Sequence, residues 1–201
     1  MAALIPGFLA GLGLIVAIGA QNAYVLRLGL ARNHVGVAVG ICAASDALLI
    51  LAGTAGIGAV VERAPVALEV LRWLGVAYLS LFAVKSLRSA LRPAALSAAA
   101  GGTQSLRAVV ASTMVFTYLN PHVYLDTVLF LGSLGQQYGD SRWWFAAGAA
   151  AASLMWFSAL GFGARAAAPL MSRPRTWQVL DSAIAAVMLA IAWQLATSAG
   201  L

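Results

Sequence analysis

GVAVGICAASDALLILAGTAGIGAVV, residues 36–61, holds one charged side chain in twenty-six positions, and that one, Asp46, lies near the middle. A run of about 20 apolar residues is the length needed for a helix to cross the hydrocarbon core of a bilayer. Further runs of this kind occupy residues 4–26, 68–90, 108–134, 143–168 and 177–198. The composition agrees: of 201 residues, 62% are hydrophobic and 9% charged, with a mean hydropathy of +0.91. Soluble domains carry about 25% charged residues, so this chain cannot cover itself with a polar shell. Outer-membrane barrels show alternating segments of roughly ten residues rather than unbroken runs. The expected class is an all-α integral membrane protein with six transmembrane helices. The first run has no basic segment before it and is too long for a signal peptide, so it is expected to be retained as a helix.

The longest connection, from Arg88 to Arg107, contains Pro93 and Gly101-Gly102 and has no core-forming pattern. It separates a first three-helix half (1–90) from a second (107–201) across a connection at 91–106. Three crossings per half invert the second half relative to the first, a common transporter plan. The first helix of each half carries a polar interruption: Gly19-Ala20-Gln21-Asn22 in one, Leu119-Asn120-Pro121-His122 in the other, each followed by Tyr24 or Tyr124. Pro121 removes a backbone donor and displaces the carbonyl of Thr117, so the fourth helix is expected to be broken, with the first a second candidate. A broken helix offers a positive half-helix N-terminus to a carboxylate and free carbonyls to an ammonium group.

Charges set the orientation. Connections one, three and five hold Arg27, Arg32, Lys85, Arg88, Arg92, Arg107, Arg165, Arg173 and Arg175, whereas two and four hold Arg63, Arg72 and Arg142. The positive-inside rule then places both termini outside. Trp73, Trp143, Trp144 and Trp177 fall at span ends and are expected as interface anchors. The net charge of +6 comes without a basic run, which excludes nucleic acid as a partner. Cys42 is the single cysteine and reads as a small packing residue; no intrachain disulfide is possible. Cys42, His34 and His122 lack metal-ligand spacing, and no nucleophile, base and orienting residue can be assembled, so neither a metal, a cofactor nor enzyme chemistry is expected. Gly7 with Gly11, Gly36 with Gly40, and Gly161 with Gly163 read as sites of close helix approach.

The carboxylates inside apolar runs carry the functional signal. An aspartate at mid-bilayer costs roughly 2.5 to 3.5 kcal/mol on insertion scales and marks a functional site by default. Asp46 and Asp126 are in that position, the latter six residues beyond Asn120. Asp181, after Arg173, Arg175 and Thr176, reads instead as structural, either capping a helix or pairing at the interface. Gln21 and Asn22 bring amide donors and acceptors to the same region.

The sequence resembles the lysine exporter (LysE) family, whose members export lysine and arginine from bacteria. The resemblance rests on Gly19 to Leu26 with Gly29, on Ser45-Asp46, on Arg72 to Leu79, on Thr117 to Asp126, on Gln137 to Asp140 and on Ala152 to Phe157. The family usually has proline where this chain has Ala20, which leaves Pro121 as the firmer break. The resemblance implies export of basic amino acids with Asp46 and Asp126 as the essential pair. The helix breaks and amides place Asn120, Pro121, Gln21 and Asn22 as further candidates for the same site. Relatives in the wider superfamily export neutral amino acids such as threonine or homoserine. Exporting a cation against an inside-negative potential costs about 2.3 kcal/mol per 100 mV, so coupling is required. Proton antiport is the expectation: like charges disfavour ionisation of an empty aspartate pair, and a bound cation favours it. Expected partners are lysine or arginine, protons and membrane lipid of the cell inner membrane, with a homo-oligomer compatible with the sequence. A membrane scaffold and a metal-ion transporter are the alternatives from other classes.

Overall fold

A computed structural model describes residues 2–16, 19–57, 65–91, 104–167 and 174–197. Among them there is no strand. The helices are α1 (Leu4–Ile15), α2 (Ala20–Leu30), α3 (Val35–Thr54), α4 (Pro65–Leu91), α5 (Leu106–Tyr118), a short α6 (Pro121–Val123), a π-helical turn (Tyr124–Phe130), α7 (Leu131–Gln136), α8 (Arg142–Ala167) and α9 (Pro174–Thr197). α3, the Arg72–Leu91 part of α4, α8 with the 3₁₀ turn before it, and α9 are each long and apolar enough to cross a membrane. α1 and α2 give a fifth span if the bent pair is counted as one; their axes differ by 82°. The expected span at 108–134 is divided between α5 and the segments after Asn120, and no single helix there reaches spanning length. The connection between the expected halves, at 92–103, lies outside the described residues, as does the end of the expected span 36–61.

The surface is apolar in the way that a lipid-facing surface must be. Ile5, Leu9, Leu48, Leu81, Val179 and Trp193 are all exposed, an arrangement that water would penalise and hydrocarbon does not. The interior holds the polar residues instead, including Asp46, Ser153, Thr113, Thr117 and Asp181.

Small residues decide where helices touch. α8 is the central element, packed against α1, α2 and α3, while α4 pairs with α9. Gly7 and Gly11 let α1 lie directly on the backbone of α8 at Phe145 and Ala149, and Gly148 returns the contact at Leu4. Gly161 meets Val25, Val35 and Val39 at the α2–α3–α8 junction. Gly36, Gly40 and Gly163 do not follow the expectation. A Cβ at Gly40 or Gly163 would meet nothing within 4 Å, and one at Gly36 only the tip of Phe162. Their spacing alone could not separate a buried seam from an open face.

Trp73, Trp143 and Trp144 are exposed, as anchors should be, but Trp177 is buried against Leu30 and Ala164 and is not an anchor. Cys42 is fully buried in a cluster with Val25, Val39 and Phe157, as expected of a packing residue. Asp181 forms an ion pair with Arg27, Nε to Oδ1 at 3.0 Å, tying α9 to α2. Gly139 adopts φ +52°, a left-handed conformation that glycine accepts without strain, in the turn leading to α8.

Candidate functional site

Both interrupted helices end at one place. α1 stops at Ile15, and α2 restarts at Ala20 from an extended Gly19 (φ −111°, ψ 176°). The sequence left this first break to a second candidate because Ala20 stands in place of proline; the chain is broken there nonetheless. Asn22 holds the break. Its Nδ2 donates to the Ile15 carbonyl at 2.9 Å, satisfying an acceptor at the end of α1. Its Oδ1 accepts from the Trp156 indole on α8 at 3.3 Å.

The second break runs through Leu119 and Asn120. Pro121 occupies the first position of α6, where its missing N–H is no loss to the new helix. The Tyr118 carbonyl accepts from the Tyr124 hydroxyl at 3.0 Å. Beyond it the backbone widens into the π-helical turn, closed by Leu131 N–H donating to Asp126 O, and the Thr127 hydroxyl donates to the Val123 carbonyl. Such turns are rare and gather at functional sites. Asp126 lies six residues beyond Asn120, and the π-turn, in place of an ordinary helix, changes the direction in which it is presented. Gly75 on α4 makes room for this break, since a Cβ there would lie 2.5 Å from Leu119 O.

Between the breaks lies a cavity of about 270 Å³. Asp46, Asp126, Asn120, Gln21 and Asn22 all line it. Pro121 is buried and adjacent in the chain but does not line it. Among the described residues no lysine, arginine or histidine lines it, so their contribution to the cavity is two carboxylates and no cationic side chain. Asp46 is 4% exposed, and its Oδ2 accepts from the Ser153 hydroxyl on α8 at 2.7 Å. The amide nitrogen of Gln21, also buried, has no oxygen or nitrogen acceptor among the described residues. Leu14, Ile15, Val123, Phe157 and Ile191 supply apolar wall.

Sequence reasoning missed Ser153, Trp156, Thr127 and Gln194. Ser153 and Trp156 lie in a stretch quoted for its family resemblance, yet in an alanine-rich helix a serine reads as packing. Gln194, an amide inside the last apolar run, was the one signal available for α9.

The arrangement suits a small, extended, cationic molecule. Carboxylates in a low-dielectric wall attract an ammonium or guanidinium group, the Gln21 amide can donate to a carboxylate, and apolar wall accommodates a methylene chain. Among the described residues no three His, Cys, Asp or Glu side chains converge as a metal cluster would require.

Residues 12–199 match the family described as LysE type translocator. The chain is 39% identical to the lysine exporter LysE of Corynebacterium efficiens, over 95% of this chain and 96% of that one. It is 41% identical to the arginine exporter protein ArgO of Yersinia enterocolitica, over 98% and 97% respectively. With the lysine exporter LysE of Corynebacterium glutamicum the identity is 36%, over 95% and 97%. No solved structure matches the chain. The chain belongs to the LysE translocator family, and it is a membrane transport protein rather than an enzyme.

Proposed function

We propose that this LysE-type translocator exports lysine, arginine or both across the bacterial inner membrane in exchange for protons, with Asp46 and Asp126 as the groups that bind the cation and the proton in alternation. The observation that carries this reading is the cavity itself: two carboxylates and, among the described residues, no basic side chain, set where two helices break. A neutral substrate would need no second carboxylate. Lysine and arginine exporters named among the relatives, aligned over nearly the whole chain, support the same substrate class.

With no cation bound, a proton is the counter-charge open to a carboxylate in this largely apolar cavity. When a basic amino acid enters from the cytoplasm, its side-chain cation replaces the proton as the favoured counter-charge. Ser153 orients the Asp46 carboxylate; Gln21 and the N-terminal amides of α2 are suited to the substrate carboxylate. Asn120 and Pro121 form the second break, keeping backbone polar groups at the cavity edge.

Alternating access follows from an inverted repeat of residues 1–90 and 107–201 joined by the connection at 91–106. The pairing supports this plan. α4 with α9 and α3 with α8 pair across the halves, and the packing of α1 on α8 has a counterpart in the packing of α5, the π-turn and α7 on α3. Both termini then lie outside, with the nine-residue basic side inward.

The test is efflux of labelled lysine and arginine from proteoliposomes at several external pH values, with threonine as competitor. Asp46→Asn and Asp126→Asn keep volume while removing charge, so each should abolish export at normal membrane abundance. Asp→Glu at either site should retain partial export with a shifted pH dependence. Full efflux by either Asn variant removes that aspartate from the mechanism.

A further inference from the structure

A second cavity, of about 250 Å³, sits at the other end of α2. Its walls include Arg27 from α2, Asn33 from the turn after it, Lys85 and Ser86 from α4, Gln104 ahead of α5, and Trp177 of α9. These residues come from the first, third and fifth connections and the helix ends beside them, the basic side of the molecule. About six residues of α2 separate Arg27 from Gln21, roughly 9 Å of helix rise. Tyr24 fills that interval, fully buried with Phe82 and Phe116 around it. Its hydroxyl donates to Gln104 Oε1 at 2.9 Å.

Two features mark this cavity as built for a ligand. Asn33 Oδ1 and Ser86 Oγ lack hydrogen-bond partners among the described residues, although Asn33 is 4% exposed and Ser86 2%. A buried polar group left unpaired costs about 1–3 kcal/mol, and two in one cavity wall point to an occupant that pairs them. The charge is also unbalanced. Arg27 is compensated by Asp181, whereas Lys85 adds a positive charge and no acidic residue among the described ones lines the cavity. A simple anion would suit Lys85 but would leave Asn33 Oδ1, an acceptor, facing another acceptor. A group carrying both a carboxylate and an ammonium satisfies both: the carboxylate toward Lys85 and Arg27, the ammonium toward Asn33 Oδ1, with Ser86 able to join either.

We propose that this cavity binds the α-amino and α-carboxylate groups of an amino acid, as a loading site on the basic side of the membrane ahead of the central cavity. The site reads the part common to all amino acids, and the central aspartates read the cationic side chain. This division deepens the export reading and rests on it for the choice of substrate.

The test is equilibrium binding of labelled L-lysine to the purified full chain in detergent, which needs no knowledge of sidedness. Asp46→Asn silences the central cavity and should leave one lysine bound. Lys85→Gln in that background should weaken the remaining binding about tenfold, the worth of one charge-assisted hydrogen bond, and Lys85→Arg should restore it. Ser86→Ala gives an independent variant should Lys85→Gln fail to fold. Alanine should compete at this site; cadaverine, which is lysine without its carboxylate, should not. The proposal is overturned if Asp46→Asn protein binds no lysine, if its binding ignores both Lys85→Gln and Ser86→Ala, or if cadaverine or inorganic phosphate displaces lysine as well as alanine does. Lys85-dependent binding in a protein whose wild-type form exports neither lysine nor arginine would uphold the site and sink the export reading; export without it would do the reverse.

Discussion

The first helix stops at Ile15 and restarts at Ala20 without a proline, whereas the fourth ends at Tyr118 and restarts at Pro121. The ends also differ in how they are satisfied. Asn22 reaches back to the Ile15 carbonyl with an amide and is fixed in turn by Trp156; Tyr124 reaches back to the Tyr118 carbonyl with a phenol. A break in a membrane helix therefore has two separable requirements: something that stops the helix, and something that occupies the carbonyl left behind. Proline meets the first. Only a polar side chain or cavity water meets the second, and the bilayer makes it compulsory.

That comparison can be strained from either side. Asn22→Leu should have the largest effect, because it strands both the Ile15 carbonyl and the Trp156 indole at about 1–3 kcal/mol each. We expect it to lower detergent stability sharply and to abolish export, read by thermal unfolding and efflux together; a stable, active Asn22→Leu protein would show that water alone holds the first break. Pro121→Ala comes next. It returns a donor for the Thr117 carbonyl and favours a continuous helix, so export should fall about tenfold, equivalent to ~1.4 kcal/mol, with abundance kept. Parental transport by this variant would reduce Pro121 to a packing residue. Tyr124→Phe removes one neutral hydrogen bond while keeping the ring, and should cost about 1 kcal/mol of stability with a modest loss of export. Ala20→Pro should change least. Gly19 already holds the extended conformation that a following proline demands, and residue 20 is the first of α2, where proline is accepted. Stability should move by no more than about 1 kcal/mol and export should persist; loss of export would mean that the two ways of stopping a helix are not interchangeable here.

The same comparison explains what could be read from the residues. Hydropathy marked the ends of α8 and α9 and the start of α3 to within a few residues, but α3 stops at Thr54, seven residues short of the expected 61, because hydropathy does not register the turn at Ala55 and Gly56. Asp46 and Asp126 stood out because a carboxylate is costly in hydrocarbon, and Pro121 because its effect on a helix is local. Five of the six expected site residues line one cavity for these reasons. The first break was harder, because Gly19 is one of many glycines and Asn22 acts only through a carbonyl seven residues earlier. Ser153 and Trp177 depended on which neighbours the folded chain would bring to them, and no periodicity along one helix encodes that. Gly36 and Gly40 carry the spacing of a seam yet lie open, for the same reason.

Tyr24, Tyr78, Phe82 and Phe116 stack edge-on and tilted against one another, with centroids 4.8–6.4 Å apart. An ion travelling between the two ends of α2 would have to shed its hydration shell at these rings, which offer no oxygen in return apart from the tyrosine hydroxyls. On the exchange reading proposed above, the cluster would act as an electrical insulator: it would separate water-sized spaces at two depths and oppose leakage of the ions whose gradient drives the exchange.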